Sequence, residues 1–122
     1  MDLLTVECED RDDSVIVRAT GDIDSSTVAQ LAGKLSAGLQ VARDHPARLL
    51  VVDLQAVTFF GSAGLNAVLD CHEDGVADGT LVRLVANNAQ VVRPIEVTGL
   101  DRVLEVYPTM PEALRRCRDS KR

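Results

Sequence analysis

Leu49-Leu50-Val51-Val52-Asp53-Leu54 is apolar up to its single acidic residue, the pattern of a strand covered on both faces. Such a strand belongs in the middle of a sheet, and the flanking segments agree. Upstream, before the break at Asp44-His45-Pro46, Val28, Leu31, Ala32, Leu35 and Leu39 recur at helical spacing behind the N-cap chemistry of Asp22-Ile23-Asp24-Ser25-Ser26. Earlier still, Leu4, Val6 and Cys8 alternate with Thr5, Glu7 and Glu9, and Val15, Val17 and Ala19 alternate after a polar turn between Asp10 and Asp13. That predicts a hairpin of half-buried strands.

Downstream, Ser62 opens a second helix with Leu65, Val68, Leu69 and His72 on one face. Gly75 and Gly79 bracket a turn, and Leu81, Leu84 and Val85 form a strand ending at Asn87-Asn88. Val92, Ile95 and Glu96 make a short helix with Pro94 close to its start, stopped by Gly99. Val103, Leu104 and Val106 give a last strand. Thr109-Met110-Pro111-Glu112 then has capping-box spacing ahead of Ala113, Leu114 and Cys117. Residues 118–122 are expected to fray. Two strands followed by alternating strand and helix predict a single layered α/β domain over residues 1–122 with a mixed sheet.

The length of 122 residues fits one core that buries around two-thirds of the extended chain's surface. Thirteen Lys and Arg against nineteen Asp and Glu leave a net charge of −6, the wrong sign for a phosphate-backbone binder. With no Trp, one Tyr and two Phe, stacking platforms for nucleic acid bases are absent too. No apolar run approaches the roughly 20 residues of a membrane span. Met1-Asp2-Leu3-Leu4 has no signal-peptide character, so a cytoplasmic location is expected. Cys8, Cys71 and Cys117 are far apart and form no C-x-x-C pair, which indicates neither a disulfide framework nor a metal site.

Catalysis finds little support. Gly61-Ser62-Ala63-Gly64 invites comparison with a nucleophile elbow, but that turn needs glycine two residues before the serine, where Phe60 stands. His72, on the apolar face of its helix, reads first as a hydrogen-bonded core residue. No phosphate-loop or dinucleotide pattern occurs, so no cofactor is expected. What remains is Ser62 at a helix start, where free N–H groups and the helix dipole favour negative charge. Phosphate on Ser62 would add about −1.5 to −2 charges, which the helix tolerates and an acidic or apolar interface does not. The plainer reading is that Ser62 only caps its helix.

Gly21-Asp22-Ile23-Asp24, Leu50-Val51-Val52-Asp53-Leu54, Phe60-Gly61-Ser62-Ala63-Gly64-Leu65 and Val97-Thr98-Gly99-Leu100-Asp101 occur in the order of a STAS domain. Over nearly its whole length the chain resembles bacterial anti-sigma factor antagonists. The resemblance implies a mixed sheet of four to five strands with about four α-helices packed mainly on one face, and no catalytic activity. It also implies binding to a cytoplasmic anti-sigma factor, often a serine kinase, so that a sigma factor is released and transcription changes. Asp22 and Asp24 match the family's acidic motif near the partner surface, although capping of the first helix accounts for an acid there as well. The partner surface implied is Asp22, Asp24, Phe60, Gly61, Ser62, Ala63, Gly64 and Leu65, with apolar burial near Phe60 and a polar rim. Phe59 adjoins it, and one of the two phenylalanines belongs to the core.

In that family the kinase modifies a hydroxyl residue in an Asp-Ser-Ser/Thr-Gly segment. Here Gly61 stands where the family has Asp, and Ala63 where it has the second hydroxyl. If the acceptor maps to Ala63 the switch is lost; if it maps to Ser62, the phosphorylation candidate, the switch survives. The competing reading with the same fold is a scaffold subunit of a transporter or multi-protein sensor assembly. A redox switch is the other regulatory candidate. Cys8 and Cys117 read as small core residues, whereas Cys71 lies off the main apolar face of the second helix, beside Asp70, Glu73 and Asp74, which disfavour its thiolate. No long apolar stripe calls for a dimer, so a monomer is expected.

Overall fold

The computed structural model describes residues 4–115. Its elements run β1 (Thr5–Asp10), β2 (Val15–Ile23), α1 (Val28–Asp44), β3 (Leu49–Phe60), α2 (Ser62–Asp78), β4 (Leu81–Val85), α3 (Ala89–Val97), a 3-10 turn (Leu100–Arg102), β5 (Glu105–Tyr107) and α4 (Met110–Leu114). The sheet has the order β1-β2-β3-β4-β5. Only β1 and β2 are antiparallel; the other neighbours are parallel. Each parallel pair is joined through a helix, and crossovers of one hand that step in one direction deliver their helices to one face. Accordingly Leu31, Leu35 and Leu39 of α1, Leu65 and Val68 of α2, and Val91 and Ile95 of α3 share one core with Leu50, Val52 and Leu54 of β3.

The alternate β3 residues, Leu49 and Val51, face the other way and join Ile16, Val85 and Ala113 of α4 in a smaller core. The central strand is therefore covered on both sides, as its unbroken apolar run predicts. Arg83, 4% exposed, ties α4 to the sheet by donating from Nη1 to the carbonyls of Ala113 at 2.9 Å and Arg115 at 2.8 Å. Its Nε reaches Glu105 Oε1 at 3.2 Å, so its charge is paired where burial would otherwise be costly. Asp53 is likewise buried and paired, with Arg18 Nε at 3.2 Å from its Oδ2. Thr109 caps α4 by accepting from the Glu112 amide, and its hydroxyl donates to Glu112 Oε1 at 3.0 Å.

Several local expectations are corrected. β2 is not half-buried: Val15, Ile16 and Val17 are all inside, because both sheet faces are covered here, Val15 and Val17 lying in the main core and Ile16 in the second. In α1 the buried set is Leu31, Leu35, Gly38, Leu39 and Ala42, with Ala32 exposed. Gly75 is no turn residue but a buried helical position of α2, where a Cβ would lie 2.7 Å from Val82 Cγ2. Pro94 is well inside α3 rather than in its first turn; the carbonyl it leaves without a donor is that of Gln90, an exposed residue of the first turn. The last strand is Glu105–Tyr107, and Val103 is exposed in the turn before it.

The cysteines exchange roles. Cys8 is exposed and Cys71 is 4% exposed within the main core, because α2 packs on the sheet through Gly64, Leu65, Val68, Cys71 and Gly75, a stripe rotated from the one the periodicity suggests. Burial, then the charge of Asp74, pushes the Cys71 thiol up to about 12, so the exposed, acidic thiol that redox sensing requires is not present there. Cys117 and the tail 118–122 lie outside the described residues.

Candidate functional site

The carboxyl ends of β2 and β3 meet the starts of α1 and α2 at one place. β3 carries two more residues than β2 over their shared length: Arg18 pairs Asp53 and Thr20 pairs Ala56, then Gly21 pairs Val57 and Asp22 pairs Phe59. These bulges re-aim the strand end. Ile23 stands opposite Phe60, and the Gly61 amide donates to the Ile23 carbonyl at 3.0 Å. The loop entering α1 is thereby fastened to the loop entering α2.

Phe60 is 4% exposed and belongs to the main core, whereas Phe59 is 51% exposed. Gly64 and Leu65 are buried as well. Of the eight residues expected at a partner surface, Phe60, Gly64 and Leu65 therefore serve packing, and the exposed ring is that of Phe60's neighbour, Phe59. Asp22, Asp24, Gly61 and Ala63 are half-buried and Ser62 is exposed. Phe59 and Thr58 are exposed beside them. The signal that could have found Phe59 is the alternation along β3, but the two bulges break it between Leu54 and Phe60.

Asp22 and Asp24 do different work. The Thr58 hydroxyl donates to Asp22 Oδ1 at 2.6 Å, holding the carboxylate across the strand pair. Asp24 Oδ1 accepts from the Ser26 amide at 2.9 Å, the Ser26 hydroxyl at 2.7 Å and the Thr27 amide at 3.1 Å. The Ser26 hydroxyl, followed by its amide, holds the Asp24 carboxyl below the usual 3.8. Asp24 thus caps the turn leading into α1, while the N-cap itself is Thr27, whose hydroxyl donates to the Asp22 carbonyl at 2.9 Å.

Ser62 does not cap α2. Gly61 is the N-cap, in extended conformation and without a side-chain cap bond, and the first turn has no acidic residue. The helix start thus has neither a side-chain cap nor an acid in its own first turn, and the one hydroxyl in Gly61–Leu65 stands exposed on it. The arrangement presents two carboxylates, an aromatic ring and an anion-tolerant serine on one face. The histidines are elsewhere: His45 Nε2 lies 2.6 Å from the Arg11 carbonyl and its Nδ1 accepts from the Ala47 amide, bracing two loops. His72 on α2 is half-buried, and its Nδ1 has no hydrogen-bond partner among the described residues. Among the described residues no group of three or more His, Cys, Asp or Glu could hold a metal ion, and no helix is long and apolar enough to cross a membrane.

Comparison with known proteins places these features in a family context. The family model of the STAS domain matches residues 5–113. The anti-sigma-F factor antagonist RsfB of Mycobacterium tuberculosis is 32% identical over 113 residues, covering 93% of this chain and 88% of that protein. A crystal structure of an anti-sigma factor antagonist from Mycobacterium paratuberculosis superposes with a TM-score of 0.82 at 34% identity, covering 91% of each chain. The phosphorylated form of the Bacillus cell fate determinant SpoIIAA shares the fold, with a TM-score of 0.66 at 19% identity over 97% of this chain and all of that one.

Proposed function

Since the chain belongs to the STAS domain family of anti-sigma factor antagonists, we propose that it binds an anti-sigma factor through the face built at the ends of β2 and β3. The sequence match to an anti-sigma-F factor antagonist over nearly the whole of both chains carries this reading. Binding sequesters the anti-sigma factor and frees a sigma factor in the cytoplasm, so the protein regulates transcription without performing chemistry of its own. Phe59 is the apolar anchor, and Asp22, Asp24, Gly61, Ser62 and Ala63 surround it, consistent with an aromatic anchor ringed by polar groups.

Ser62 is the phosphoacceptor on this reading. Ala63 carries no hydroxyl, and Ser62 is exposed at a helix start with no acid in its first turn, where added negative charge meets free backbone amides. In the complex the same charge would lie against a partner already facing Asp22 and Asp24, which reverses binding.

Affinity capture from the native cytosol, with mass spectrometry of the partners and of Ser62, tests the proposal. Recovery of an anti-sigma factor supports it. Recovery of transporter or sensor subunits alone overturns it and leaves the family membership intact.

A further inference from the structure

Val97-Thr98-Gly99-Leu100-Asp101 takes no part in the surface above, yet it shapes a pocket of about 380 Å3 at the carboxyl ends of β4 and β5. α3 ends at Val97, and the Thr98 hydroxyl donates back to the Pro94 carbonyl at 2.8 Å. Gly99, at φ 78°, reverses the chain in the left-handed region that glycine enters without strain. The 3-10 turn that follows carries Asp101 to the pocket that Glu96 already lines from α3. Ala86, Val92, Ile95 and Val106 supply an aliphatic floor.

No Lys or Arg lines the pocket. Among the described residues neither carboxylate has an ion-pair partner. The volume lies within the roughly 300–1,000 Å3 of ligand sites. An anion would be repelled there, and a neutral apolar group would gain nothing from the two carboxylates, which are exposed at the rim. A long aliphatic stem ending in a cation satisfies both parts at once, because such chains lay their methylenes on apolar surface and keep the charge at the rim.

We propose that this pocket binds a guanidinium- or ammonium-capped aliphatic chain, with Glu96 and Asp101 taking the cation and Val92, Ile95 and Val106 the stem. It shares no lining residue with the anti-sigma factor surface and stands independently of that reading.

The test is an NMR titration of the 15N-labelled full chain with two probes, agmatine and the peptide acetyl-Ala-Arg-Ala-amide. Acetyl-Ala-citrulline-Ala-amide, neutral and of the same shape as the arginine peptide, is the control. Expected are saturable shifts at the amides of Ala86, Ile95 and Asp101, at least tenfold weaker binding by the Glu96→Gln/Asp101→Asn double variant, and no saturation with citrulline. Both substitutions are at exposed positions, so the variant keeps its fold. Agmatine binding identifies a free amine as sufficient, and binding by the peptide alone identifies a side chain of a protein partner; each supports the pocket's chemistry. Absence of saturable shifts with both probes, equal binding by citrulline, or unchanged affinity in the double variant overturns it.

Discussion

Gly64 of α2 lies so close to Phe60 of β3 that a Cβ on the glycine would stand 2.9 Å from the ring's Cε1, and 2.7 Å from Ile23 Cγ2. The start of α2 is thus seated directly on the ends of β2 and β3. Gly64→Ala should cost about 1–3 kcal/mol by overpacking. Urea unfolding checks this, and a variant as stable as the parent would show that the helix start shifts freely.

The two adjacent phenylalanines should separate folding from binding. Phe60→Ala empties a core position and should cost about 3–5 kcal/mol. Phe59→Ala should leave the unfolding midpoint nearly unchanged and weaken anti-sigma factor binding by about tenfold or more. Calorimetry of binding beside denaturant curves distinguishes the two. The assignment of Phe59 as the anchor fails if its removal leaves affinity intact.

Charge at Ser62 should act as an off switch. Ser62→Glu is expected to weaken anti-sigma factor binding at least about tenfold by placing a carboxylate in the interface, while Ser62→Ala binds like the parent. Equal affinity of all three proteins would remove Ser62 from the interface.

Asp24 should leave a signature in acid. Its carboxyl is held below 3.8 chiefly by the Ser26 hydroxyl, and a depressed folded-state pKa contributes stability that is fully present above the unfolded value and is lost as pH falls through the folded one. The Tm deficit of Asp24→Ala relative to the parent should therefore be largest near neutral pH and shrink as the pH is lowered through and below 3.8. A deficit independent of pH would show that the ionised carboxylate adds nothing beyond its shape.

Thiol labelling should follow burial rather than helix position. With its pKa pushed up to about 12, Cys71 has about one thiolate in ten thousand at pH 8 and is shielded besides. Iodoacetamide should modify exposed Cys8 well before Cys71, as read by peptide mass spectrometry, and denaturant should abolish the difference. Early modification of Cys71 in the folded protein would restore it as a redox candidate.

The order of strands and helices was legible because hydrophobic periodicity is a local property: the unbroken run at Leu49–Leu54 and the spacing through Leu31, Leu35 and Leu39 needed no knowledge of the partner surfaces. Misreadings clustered where a residue's environment comes from elsewhere in the chain. Cys71 and Leu69 are two residues apart on one helix, and only the face that α2 turns to the sheet places the first inside and the second at its margin. The intrinsic preferences of Pro94 and Gly75 favour element boundaries, and packing against the sheet overrides them.

By itself the sequence determined a layered α/β domain, the central position of β3, the start of α2 at Ser62 and the family to which these motifs belong. Only the tertiary structure decided that Phe59 rather than Phe60 faces outward, that Gly61 leaves the α2 dipole uncapped, and that Glu96 and Asp101 share a pocket. In each case the deciding neighbour comes from elsewhere in the chain. Alternation along a strand holds only while its register holds, and the two extra residues of β3 are defined solely against β2. Two carboxylates on either side of a glycine turn become one site only when the fold places a sheet edge beneath them.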